Sequence, residues 1–320
     1  MPMIDLKGAV KNAKTVMIAG HVRPDGDCIG SCVGLWLYLR DNYPEIEADV
    51  RLESVPELYR ILAGTEAVIT NYDEDKVYDL FVALDASDKT RLGDAVKYFD
   101  SARHTVCIDH HISNKGFADE NLVLPGASSA CEVLTDLLEM DKISEDTAAA
   151  LYTGLICDSG VFKYPSTSHH TMDIAGRLME KGISAQHLID GIFYQKTFKQ
   201  NQLLAKCLLA AKQYLDGKLI LSVATQEIME SLDAGHDDLE GIIDQLRLTK
   251  GTEVAVLVSW NPDGIFKYSM RSIDIVDVSR IAAVYGGGGH IRAAGFSSGE
   301  DVETVCGQLI AMVKEQLSHV

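Results

Sequence analysis

The sequence predicts an α/β protein, with an N-terminal doubly wound, mostly parallel sheet and a smaller C-terminal α/β domain. Three observations carry this. Apolar, β-rich runs alternate with helical periodicity through the first half of the 320 residues, the pattern of a parallel sheet with helices on both faces. A second alternation restarts after residue 214. Polar clusters follow the apolar runs directly, where open α/β sheets bind their ligands.

In chain order, residues 15–19 (TVMIA) read as a buried strand and 28–40 as a helix with Val33, Trp36, Leu37 and Leu39 toward the core. Residues 48–55, 80–84 and 105–108 read as further strands. Helical periodicity covers 128–140, 145–156, 168–181 and 185–194. One longer helix is expected over 196–214, connecting a first domain (1–195) to a second (215–320). In the second domain, 218–224, 253–260 and 265–271 read as strands and Asn261-Pro-Asp-Gly264 as a hairpin turn. Helices are expected over 226–231, 237–249, 276–284 and 301–317, the last two flanking a glycine-rich loop.

Composition limits the function. There are 29 Lys+Arg against 47 Asp+Glu, a formal charge of −18. Proteins that track a long phosphate backbone present a basic surface, so a nucleic-acid partner should be short and held at a local site. The seven cysteines are scattered and odd in number, which argues for buried thiols in a reducing compartment rather than a disulfide framework. The first residues lack the apolar core of a signal peptide, and no apolar stretch is long enough to span a bilayer. The expectation is a soluble, cytoplasmic protein without a membrane partner.

Chemistry gathers at the strand ends. His21-Val-Arg-Pro-Asp25-Gly-Asp27 places an imidazole and two carboxylates on one loop between a strand and a helix. Hard divalent cations take oxygen ligands, and Mn²⁺ also accepts imidazole. The competing reading is that Asp27 caps the helix while Asp25 sits in a turn. Asp85 follows Phe81-Val-Ala-Leu84, and Asp109-His110-His111 follows Val106-Cys-Ile108. Neighbouring histidines on a strand face opposite ways, so one could bind metal and the other face substrate, with Asp109 fixing a tautomer. Asp158 closes an apolar helix at the end where the macrodipole opposes a carboxylate, a cost that an adjacent cation would relieve. Asp25, Asp27, Asp85, Asp158, His21 and His110 suit two divalent ions if one carboxylate bridges them. Two-metal sites cleave phosphate esters and anhydrides. His169-His170 reads as a helix start, and His104, His187, His236 and His319 lack ligand company.

In order, spacing and triplet, these residues resemble the motifs of the DHH phosphoesterases. Gly286-Gly-Gly-Gly289-His290-x2-Ala293-Ala294-Gly295 resembles the signature of the DHHA1 domain that follows in one branch, and Ser269-Met-Arg271-Ser272 resembles its basic substrate segment. The resemblance is nearest to the compact bacterial nanoRNases, or oligoribonuclease/pAp phosphatases. It implies two divalent ions, Mn²⁺ or Mg²⁺, one held by His21, Asp25 and Asp85 and the other by Asp27, Asp85, His110 and Asp158. Asp85 would be the bridge and His111 would face substrate. Arg271, Gly287, Gly288, Gly289 and His290 would grip a phosphate, with the active site in a cleft between the domains. The implied substrates are RNA of two to five nucleotides and 3′-phosphoadenosine 5′-phosphate (pAp). Cyclic di-AMP or pApA is the alternative substrate, and a non-catalytic nucleotide sensor is the alternative of another class. A homodimer is also implied.

Overall fold

The computed structural model describes residues 4–318, so His319 lies outside the described residues. The chain divides into two units, one running to Gln195 and the other beginning at Lys196.

The first unit is built on five parallel strands: β1 (Thr15–Ala19), β2 (Glu47–Arg51), β3 (Leu80–Leu84), β4 (Thr105–Asp109) and β5 (Glu120–Val123). Their order is β2-β1-β3-β4-β5, with every neighbouring pair parallel. Side chains alternate faces along a strand, and here both faces are apolar. Val16, Ile18, Val82, Leu84, Val106 and Ile108 join a core with the helices Gly26–Asn42, Ala130–Leu137 and Glu145–Asp158. Met17, Ala19, Phe81, Ala83 and Cys107 join a second core with Tyr98 and Phe99 of helix Val96–Ser101. The sheet is doubly wound, as the alternation predicts. The chain leaves β1 toward β2 and returns on the other side to β3, so the strand order reverses between β1 and β3. That reversal is where such sheets open a crevice at their carboxyl ends.

Differences from the sequence reading have local causes. The strand expected over 48–55 ends at Arg51, after which Glu53 turns aside to accept from the Arg23 N–H. Strand β5 is an edge strand in which only Leu122 is buried, so it lacks an apolar run to announce it. No helix extends over 196–214. Helix Phe198–Ala210 stops at Ala211, whose backbone is extended, and residues 212–214 form a strand.

The second unit holds β6 (Lys212–Tyr214), β7 (Leu219–Ala224), β8 (Val254–Trp260), β9 (Phe266–Ser272), β10 (Gly288–His290) and β11 (Ala293–Ser298). The sheet order is β10-β11-β9-β8-β7-β6, antiparallel except for β7 beside β8. It too is covered on both faces, by helices Val278–Val284 and Val302–Leu317 on one and by Phe198–Ala210 and Ile242–Arg247 on the other. The Asn261–Gly264 turn joins β8 to β9, with the Gly264 N–H donating to the Asn261 carbonyl. The helix expected over 237–249 is interrupted at Gly241, where φ is +83°. All seven cysteines are free thiols. Among the described residues no helix is long and apolar enough to cross a membrane.

Leu151 is fully buried in the larger core of the first unit. Leu151→Ala is expected to lower the unfolding free energy by about 2–5 kcal/mol in urea titration.

Candidate active site

Each of β1, β3 and β4 delivers polar side chains at its carboxyl end. Two residues past β1, His21 is nearly buried. Its Nδ1 lies 2.9 Å from the Val22 carbonyl, to which it donates, so Nε2 is left to face Asp25 at 3.6 Å and Asp85 at 3.4 Å. Burial alone would lower the His21 pKa, but the two carboxylates outweigh it and push it up to about 11.

The helix after this loop begins at Gly26, and its cap is Asp25, not Asp27. The Asp25 carboxylate accepts from the N–H groups of Asp27 and Cys28 at 3.1 and 3.2 Å. Asp27 is fully buried and serves a different helix, accepting from Ala130 N–H at 2.6 Å and Cys131 N–H at 2.9 Å, in the first turn of Ala130–Leu137. That turn carries partial positive charge. Burial nevertheless pushes the Asp27 carboxyl well up, helped by the negative charges of Asp85 and Asp158.

Asp85 sits where β3 ends, with φ at +53°, an uncommon left-handed backbone for a residue with a side chain. Its Oδ2 faces His21, while Oδ1 stands 3.5 Å from His110 Nε2 and 3.6 Å from His111 Nδ1. Oδ1 is buried and accepts no hydrogen bond among the described residues. Such strain and such an orphaned oxygen cluster at functional sites.

His110 Nε2 lies 3.1 Å from Asp158 Oδ2 and 3.8 Å from Asp27 Oδ2. Burial would lower its pKa, but Asp158, Asp85 and Asp27 push it up to about 11. His111 is half exposed. Its Nδ1 donates to Asp109 Oδ1 at 2.7 Å, which turns Nε2 away from Asp109. Buried Asp109 also accepts from His110 N–H and from Asn114 Nδ2. Burial would raise its pKa, but these donors hold it below the usual carboxylate range. The strand alternation expected to separate the two histidines does not operate. Strand β4 stops at Asp109, and both rings come within 4 Å of Asp85.

The structure therefore brings together His21, Asp25, Asp27, Asp85, His110 and Asp158 as two donor sets that meet at Asp85, with Asp109 and His111 beside them. Ligands placed about 2.1 Å from an octahedral ion stand about 3 Å apart. Nitrogen–oxygen separations of 3.1–3.8 Å with lone pairs converging are close to that spacing. Cys28 lies near His21 and Asp85, yet burial keeps its thiol protonated. Two residues escape sequence reasoning. Arg91 Nη2 stands 3.2 Å from His21 Nδ1, and Asn114 anchors Asp109; neither belongs to an acidic or histidine cluster. His169 and His170 open a helix capped by Ser168.

In the second unit, Gly288–His290 is an edge strand, not a loop. Two glycines of the run are required by that pairing. A Cβ at Gly287 would stand 2.3 Å from the Gly295 carbonyl, and one at Gly289, where φ is +140°, would stand 2.4 Å from the Ala293 carbonyl. A Cβ at Gly288 would meet nothing. Arg271, Ala293 and His290 are register partners in one row across β9, β11 and β10. Partners in a row share a face, so Arg271 and His290 flank the small Ala293 about 10 Å apart.

Residues 15–155 match the family model described as DHH family, N-terminal domain, and residues 217–319 match the DHHA1 domain. The chain belongs to the DHH/DHHA1 phosphoesterase family. It is 27% identical over 309 residues to the bifunctional oligoribonuclease and PAP phosphatase NrnA of Thermus thermophilus, covering 95% of this chain and 90% of that protein. It is 26% identical to the cyclic-di-AMP phosphodiesterase PdeA of Listeria monocytogenes, over 90% of this chain and 45% of that one. A solved exopolyphosphatase-related protein from Bacteroides fragilis shares the fold of this DHH/DHHA1 chain, with a TM-score of 0.82 at 24% identity, covering 98% of this chain and 94% of that one.

The raised histidine pKa values set the sign of a pH effect. Both imidazoles hold a proton at neutral pH in the absence of metal, and a ligating imidazole must be neutral. Binding a divalent cation should therefore release protons, and affinity should rise with pH between about 6 and 9. Calorimetry of Mn²⁺ binding in buffers of different ionisation enthalpy measures this. Zero proton release would remove both histidines from the ligand set.

Proposed function

We propose that this DHH/DHHA1 protein is a cytoplasmic two-metal phosphoesterase that hydrolyses RNA of two to five nucleotides and pAp, with Mn²⁺ as its ion. The observation that carries the reading is the pair of donor sets sharing Asp85, whose Oδ2 faces His21 and Oδ1 faces His110. His21, Asp25 and Asp85 would hold one ion, and Asp27, Asp85, His110 and Asp158 the other. Four carboxylates neutralise two dications. When bound, the ions supply a water that ionises near neutral pH and positive charge for the attacking and leaving oxygens.

The chain's own groups do the rest. Asp109 holds the Nδ1 proton of His111, which orients the ring and raises its pKa. His111 thereby keeps a proton available at Nε2 for the leaving oxygen, the role of a general acid. Arg271 and His290 offer hydrogen bonds to a terminal phosphate, Arg271 in charged, bidentate form. Gly288, where, as at Gly286, a Cβ would meet nothing, lets a phosphate approach backbone N–H groups. Gripping an end selects short substrates, and the −18 charge disfavours long ones. The similarity to PdeA favours a second reading, in which cyclic di-AMP or its linear product pApA is the preferred ester.

A panel of pAp, pApA, cyclic di-AMP, a five-nucleotide RNA, a long RNA and pyrophosphate ranks these. Phosphate release or cleavage of the short substrates with Mn²⁺, abolished by EDTA, is the expected result. His110→Ala or Asp158→Asn should cut kcat at least about a hundredfold, and full activity in either would sink the two-metal assignment. Arg271→Ala should raise KM about tenfold with little change in kcat. An unchanged KM means the phosphate is held elsewhere.

A further inference from the structure

The groups assigned above hold cations or meet phosphate oxygens, and nothing among them distinguishes a nucleotide from any other phosphate ester. Helix Glu145–Asp158 ends at one of those ligands, and the chain then makes a left-handed turn. Three successive residues, Gly160, Val161 and Phe162, have φ of +57°, +56° and +62°. This backbone is costly for a β-branched valine and for phenylalanine.

Buried Ser159 holds the turn. Its Oγ donates to the Leu155 carbonyl and accepts from Phe162 N–H, and its carbonyl accepts from the N–H groups of Lys163 and Tyr164. The turn sends Phe162 inward, edge-on to Tyr152 at 6.1 Å. It sends Tyr164 outward, 49% exposed. One face of the Tyr164 ring is backed by the Gly160 peptide: a Cβ at Gly160 would stand 2.6–2.8 Å from three ring carbons. The Lys163 ammonium lies over the ring, 5.5 Å from its centroid, where an incoming base would move it aside. Ile112, beside His111 and more exposed still, has no π face to offer.

An exposed ring braced from behind by backbone, with a mobile-ended cation over it, has the chemistry that receives a base and its phosphate. We infer that Tyr164 is the stacking platform for the nucleobase of the substrate, with Lys163 meeting the phosphate next to that base. The inference rests on the phosphoesterase reading for the reaction that follows binding. The platform stands six residues beyond Asp158, and the strained turn fixes that offset. It gives the metal-ligating unit a means of reading the base, which no acidic or histidine motif supplies.

The test compares wild type, Tyr164→Ala and Tyr164→Phe, each loaded with Mn²⁺, on pAp and on its abasic analogue ribose 3,5-bisphosphate. Tyr164→Ala should raise the KM for pAp about tenfold with kcat little changed. Tyr164→Phe should restore it, and the difference between the forms should vanish on the abasic ester. A Tyr164→Ala KM equal to that of active wild type overturns the platform and leaves the phosphoesterase reading standing. An equal loss on pAp and on the abasic ester also overturns it, because the effect would then be structural. If wild type releases no phosphate from either ester, the phosphoesterase reading fails, and calorimetry with AMP and ribose 5-phosphate decides the platform alone. Weaker AMP binding in Tyr164→Ala, with ribose 5-phosphate unaffected, supports it. Equal AMP affinity, or none in wild type, overturns it.

Discussion

Buried negative charge at the carboxyl edge of the first sheet governs the arrangement around it. Asp27, Asp85 and Asp109 are each at most 2% exposed, and a carboxylate out of water costs several kcal/mol unless it is paired or hydrogen-bonded. The three are compensated in different ways. Asp109 takes hydrogen bonds from His111, Asn114 and a backbone N–H, which hold its carboxyl below the usual range despite burial. Asp27 takes two N–H groups from the start of a helix, yet burial and the neighbouring carboxylates still push it toward protonation. Asp85 has an oxygen with no hydrogen bond among the described residues. The shortfall is concentrated where the two donor sets meet, which is what a pair of cations would make good.

The two units divide the work by architecture. In the first, a doubly wound sheet with both faces packed fixes the heights of three strand ends, and the side chains that follow inherit that precision. In the second, Arg271, Ala293 and His290 form a row across the sheet where β9 and β10 end and β11 begins. Register sets their spacing, and the one-carbon side chain of Ala293 keeps the lane between Arg271 and His290 low.

Much of this was legible in the sequence. Strands β1, β3 and β4 are unbroken apolar runs because both of their sides are buried, and a polar residue directly after such a run has nowhere to be but the edge. The motif positions of His21, Asp85 and Asp109-His110-His111 followed from that. What stayed hidden depends on other parts of the chain. Whether an aspartate caps its own helix or a distant one is not local information, so the exchange between Asp25 and Asp27 could not be read. Strand β5 has one buried residue and no pattern. Residues 212–214 continued a helical periodicity, although Asp216-Gly217 marks the hairpin that pairs them with β7; the turn signal was the better guide. The glycine run reads as a loop because composition does not reveal that Gly287 and Gly289 let a neighbouring strand approach.

Strand β10 has a further consequence. It lies at the edge of its sheet, and its three residues, Gly288 to His290, are all exposed. An unprotected edge is a template on which another chain can add a strand, the usual route to aggregation. Here the template is too short and too poor in side chains to hold a register. In the proposed role its backbone would meet a small anion without inviting a second polypeptide. The glycines proposed to admit a phosphate would, by the same lack of side chains, keep the edge closed to other proteins.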